Sequence, residues 1–179
     1  RLKTIRILLI SGLIIIANSC TDSDRKLQEL ETCVNSTLHT DDFYSSIIVL
    51  EDMLFKSFEI EEVNYSTYLH LLETRANRSF DENKVTNLKE SKFVNEFDVY
   101  GAYCAFLGCV NRMNIVHETD LNSVWYLNYQ AMQELGTRYF VYTITRAVAN
   151  RISEEGKFDQ IENRTLLVLS LYCYLLSDV

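Results

Sequence analysis

The stretch Leu166-Leu167-Val168-Leu169-Ser170-Leu171-Tyr172-Cys173-Tyr174-Leu175-Leu176 decides the fold. It is apolar at every position except Ser170, so it has no polar face to turn toward water. Such a run is expected to form a helix buried on all sides, with the other segments packed around it. Its eleven residues are too few for a membrane span, which needs about 20 apolar residues.

Working outward, the preceding segments carry one-sided apolar stripes of the kind that cover such a helix. Phe43, Ile47, Leu50, Leu54 and Phe58 recur at helical spacing, with Asp41 and Asp42 placed to cap their first turn. Tyr65, Leu69, Leu72 and Ala76 repeat the pattern behind Asn64 as cap, and Phe93, Phe97, Tyr100, Cys104 and Leu107 continue it. Gly101, Ala105 and Gly108 share an adjoining face, where small residues would let a neighbouring helix come close. Residues 77–92 are polar, with capping-box spacing between Ser79 and Glu82, and read as an exposed segment without an assigned element.

A further helix is expected from Asp120 through Leu121, Trp125, Met132 and Leu135 to a stop at Gly136. From Arg138 to Ile152, the spacing of Val141, Ile144, Val148 and Ile152 suits a helix. Tyr139 to Thr145 is β-branched and aromatic enough to suit a strand, but no hairpin partner with turn chemistry is visible, so helix is preferred. There is no proline, where average usage predicts roughly nine, and nothing therefore interrupts a helix. The expectation is an all-α protein: one bundle of about six helices over residues 32–179.

Three of the 17 Lys and Arg residues and none of the 25 Asp and Glu fall in residues 1–19. The chain as a whole carries −8, and the part from Cys20 onward carries −11. An acidic surface repels phosphate backbones, so nucleic acid is not expected as a partner; the charge suits a basic protein, a cation or, most simply, plain solubility.

Arg1, Lys3 and Arg6 precede an uncharged apolar run from Ile7 to Ala17, too short to span a bilayer, which ends in Ala17-Asn18-Ser19-Cys20. A positive start, a short apolar core and small residues before a cut are the marks of an export signal. With Cys20 in that place, the segment resembles the signal peptide of the bacterial lipoprotein family, with its lipobox. Asn18 stands where the strictest form of the box has Ala, Gly or Ser. The resemblance covers residues 1–20 and implies cleavage between Ser19 and Cys20, diacylglycerol on the Cys20 sulfur and an acylated new amino terminus. Two or three acyl chains hold a protein on a membrane durably.

Residues 20–31 are then expected to be a polar, lipidated tether. Thr21-Asp22-Ser23-Asp24 resembles the acidic signals that, in some Gram-negative bacteria, direct a lipoprotein to the outer membrane or cell surface; in other lineages an aspartate there favours the inner membrane.

Setting Cys20 aside leaves Cys33, Cys104, Cys109 and Cys173, an even number in a compartment that permits disulfides. Cys104 and Cys109, about 140° apart on one helix, cannot bridge each other. Two complete pairings remain: Cys33 to Cys104 with Cys109 to Cys173, or Cys33 to Cys109 with Cys104 to Cys173. The other reading is four small buried hydrophobes left reduced, which suits Cys104 and Cys173 inside apolar runs.

His39 with Asp41 and Asp42, and His117 with Glu118 and Asp120, mix nitrogen and oxygen ligands, but neither set has a metal-site spacing and both read as helix caps. No metal, cofactor or catalytic residue is expected from the motifs present. Tyrosines recur at i, i+3 as Tyr100/Tyr103, Tyr126/Tyr129 and Tyr139/Tyr142: exposed, they would anchor a partner, and buried, they would be core rings with a polar tip. The functional expectation is an envelope binding protein on a lipid anchor, for instance an inhibitor or immunity-type protein for a basic partner. The alternative is a helical accessory or scaffold subunit of an envelope or glycan-handling complex; an enzyme without recognisable motif comes third.

Overall fold

In the computed structural model, the described residues are 25–77, 79, 81–113, 138–154, 156 and 158–176, and every regular element among them is an α-helix. There are eight: α1 (25–38), α2 (Phe43–Ser57), α3 (Tyr65–Ala76), α4 (Glu82–Glu90), α5 (Lys92–Phe97), α6 (Val99–Arg112), α7 (Arg138–Glu154) and α8 (Ile161–Leu176). The helix expected from Asp120 to Gly136 and the signal segment expected over residues 1–19 lie outside the described residues, as does Cys20.

Helix α8 contains the apolar run and packs against α2, α3, α4, α6 and α7. From Leu166 to Tyr172 every side chain is buried, so the helix is surrounded as its composition requires. The Ser170 hydroxyl in that stretch is satisfied locally: its Oγ donates to Leu166 O at 2.6 Å. Among the described residues, no helix is long and apolar enough to cross a membrane.

The sequence cues hold best where they are local. Asp42 caps α2 by accepting from Ser45 N at 3.1 Å, and Phe43, Ile47, Leu50 and Leu54 are buried as their spacing predicts. Asn64 caps α3 in a capping box with Thr67. Residues 138–145 are helical, in α7.

Four expectations are corrected. Residues 25–31 are not part of a polar tether, because α1 is already helical at residue 25 and Leu30 is buried. Residues 82–90 are not merely exposed: α4, capped by Asp81 rather than Ser79, sends Val85 and Leu88 into the core. On α3 the buried stripe is Tyr68, Leu71, Leu72 and Arg75, while Ala76 is exposed.

The fourth correction concerns residues 93–107. Their apolar stripe is broken at Asp98, whose φ of 46° ends α5 and whose carboxylate caps α6 by accepting from Gly101 N at 3.0 Å. A Cβ on Gly101 would run into that carboxylate, so this glycine serves the cap and not a helix crossing; around Gly108 there is open space.

Candidate partner-binding surface

Two cysteines form a disulfide. Cys33 of α1 and Cys109 of α6, with Cα atoms 5.9 Å apart, are joined across a sequence separation of 76. This is half of the second pairing considered above; Cys104 and Cys173 are free thiols, each half-buried, so the pairing of Cys33 with Cys104 does not form. Burial is the main reason the Cys173 thiol is pushed up to about 12, with Cys104 and then Asp98 adding to it.

The tyrosine pairs do not form one exposed face. Tyr100 is 60% exposed, whereas Tyr103, three residues on, is buried, with its hydroxyl 3.4 Å from Ser170 Oγ. Tyr103 is therefore a core ring and not a partner anchor. Tyr126 and Tyr129, and the side chains of Tyr139 and Tyr142, lie outside those described. His39 is exposed at the end of α1 with φ 55°, and Asp42 is engaged as a cap; His117, Glu118 and Asp120 lie outside the described residues.

One buried polar constellation escaped the sequence reading. Glu51, 4% exposed, sits on the inner face of α2 and accepts hydrogen bonds from Tyr68 Oη of α3 and from Arg164 Nε of α8, the latter at 3.0 Å. Arg164 Nη2 meets the second carboxylate oxygen, so the pair is bidentate. Burial, and next the charge of Glu51, drive the Tyr68 hydroxyl well above its ordinary range. Next to it, Tyr172 Oη donates to Leu50 O at 2.8 Å. With both carboxylate oxygens engaged by the protein's own donors, this cluster joins α2, α3 and α8. Its sequence signal was Glu51 itself, four residues after Ile47 and three before Leu54, on the stripe that faces the core.

The outer side of α2 is different. Ile47-Ile48-Val49-Leu50 is apolar throughout, and a helix that buries Ile47 and Leu50 must leave the two middle residues outside. Ile48 and Val49 are 51% and 41% exposed. One turn further, between α2 and the connection to α3, lies a groove of about 520 Å3 floored by Phe55, Ile60 and Val63. Asp52, Lys56, Glu59 and Glu61 rim it. Lys56 is held by Asp52 at 2.7 Å, and Glu59 by Lys84 of α4 at 3.0 Å, while Glu61 and its neighbour Glu62 are exposed carboxylates outside those pairs.

The backbone that shapes the groove is a helix-terminating turn. Glu59 N donates to Lys56 O at 3.1 Å and Ile60 N to Phe55 O at 2.9 Å, with Glu59 left-handed at φ 59°, the place usually taken by glycine.

No family model matches the chain, and no curated protein or solved structure is significantly similar to it.

Proposed function

We propose that this chain is an exported lipoprotein, anchored through lipid on Cys20, whose helical domain captures a basic partner at the cell envelope. Export is supported by the charged start, the short apolar run and the small residues before Cys20. The Cys33–Cys109 disulfide supports it independently, since such bonds persist in oxidising compartments.

The observation that carries the binding reading is the distribution of charge. Eight Lys and Arg side chains among the described residues are matched to carboxylates, from Arg25 with Glu29 through Arg164 with Glu51. Each pair is close to neutral from outside, so the −11 of the chain from Cys20 onward belongs to carboxylates beyond them, Glu61 and Glu62 included. A surface of that kind steers cationic partners, with a strong dependence on salt.

The test is capture from an envelope extract on the full-length protein, followed by elution in a salt gradient. A basic protein should be retained at low salt and released as salt rises, and Glu61→Gln with Glu62→Gln should retain less of it. A column that holds nothing at low salt, or holds the same proteins after that double change, removes the reading.

A further inference from the structure

Of the four large apolar side chains exposed among the described residues, Ile48 and Val49 stand on the outer face of α2, Val63 lines the groove at its end, and Tyr100 is on α6. Ile48 and Val49 lie one turn before Asp52, which with Val63 lines the groove at the end of α2. Apolar contact area and unpaired carboxylates thus adjoin. Single exposed apolar residues are ordinary, but a cluster beside a formed groove marks a contact surface.

We infer that this groove and the outer face of α2 dock a basic segment of a partner protein that carries an apolar anchor residue. The inference rests on the reading that the chain captures a basic partner, and it says where and by what chemistry. The anchor side chain would enter between Val63 and Ile60, over Phe55, and leave water. Cationic side chains beside it would meet Glu61 and Glu62, whose charge no neighbouring lysine cancels: Lys56 and Lys84 are already engaged by Asp52 and Glu59. Such a surface discriminates twice, since an acidic segment is repelled by the rim and a purely polar basic one leaves the floor in water.

Two fluorescein-labelled peptides of twelve residues serve as probes, one alternating Lys with Leu and one alternating Lys with Ser, at equal charge. Anisotropy titration against the full-length protein at low salt should show the Lys/Leu peptide binding saturably and at least tenfold more tightly than the Lys/Ser peptide. Ile48→Ser with Val63→Ser, both exposed positions, should cut the Lys/Leu affinity at least fivefold. Glu61→Gln with Glu62→Gln should weaken it several-fold, whereas Glu29→Gln on α1 should leave it unchanged.

Equal binding of the two peptides, or indifference to the Ile48 and Val63 changes, overturns the groove as the site while leaving charge-driven capture standing. Failure of both peptides to bind at low salt overturns both. Sedimentation that finds a dimer of this chain, dissociated by the same serine substitutions, assigns the face to a second copy and overturns the partner segment.

Discussion

Arg164 reaches across the core to set its Nε 3.0 Å from a carboxylate oxygen of Glu51, a residue 113 positions earlier, and turns Nη2 to the other oxygen. The two partners are not equivalent, because the Glu51 side chain is 5% exposed and that of Arg164 is 29% exposed. If the arginine is removed, the carboxylate stays buried with Tyr68 alone; if the glutamate is neutralised, the guanidinium can turn toward water. Arg164→Ala should therefore cost about 3 kcal/mol and Glu51→Gln roughly 1 kcal/mol. Urea unfolding of the two variants decides it, and equal losses would refute the asymmetry.

Stability should fall in alkali. The hydroxyls of Tyr44, Tyr68 and Tyr172 are held above their ordinary range chiefly by burial. Burial likewise lifts Tyr103 from 10.0 to about 12 and the Cys173 thiol from 9.0 to about 12. The unfolded chain releases these protons near the ordinary values and the folded chain keeps them. Their contribution is thus whole below about pH 9 and is lost as pH climbs toward 12, at about 1.4 kcal/mol per pH unit for each group titrating. Urea midpoints should be level up to pH 9 and then decline; a level profile to pH 11 would exclude the effect.

The Cys33–Cys109 bridge closes a long loop, so its loss should cost roughly 2–5 kcal/mol. Cys109 is fully buried and Cys33 half-buried, and Cys109→Ala should be the more damaging change because it also leaves a cavity in the core. Calorimetry should show a reductant lowering Tm in the native protein and doing nothing further in either variant. An unchanged Tm under reduction would mean that the bridge carries no stability.

Thiol counting tests the lipid anchor. With Cys33 and Cys109 bonded, alkylation of the unfolded, unreduced natural protein should label Cys104 and Cys173 only if Cys20 carries the proposed lipid. Mass spectrometry that finds a third labelled thiol, or residues 1–19 still attached, would overturn the assignment of Cys20.

How far the sequence discloses this fold depends on how local each signal is. The burial of Leu166 to Tyr172 is written in a run with no polar side, and the caps at Asp42 and Asn64 are settled within three residues. The break at Asp98 is hidden, because Phe93, Phe97, Tyr100, Cys104 and Leu107 keep helical spacing through a residue that turns left-handed. The choice of Cys109 for Cys33 depends on how α1 meets α6, and no spacing along the chain contains that. The groove was half visible: four apolar residues in succession on an amphipathic helix require an apolar outer face, but the floor from Phe55 to Val63 exists only once the turn at Glu59 is made.

That turn supplies the last prediction. A residue with a Cβ at φ 59° bears a steric cost of about 1–2 kcal/mol, which glycine does not. The Lys84 pair offsets little of it, since the Glu59 side chain is 82% exposed. Glu59→Gly should accordingly stabilise the protein by roughly 1 kcal/mol, the strain relieved exceeding the flexibility gained by the unfolded chain. The same change deletes a carboxylate from the rim and frees Lys84 beside it, so a basic peptide that docks in the groove should bind more weakly to the more stable variant. Urea unfolding and peptide anisotropy on the one variant measure both; a variant that gains stability and binds the Lys/Leu peptide undiminished would show that Glu59 has no part in docking.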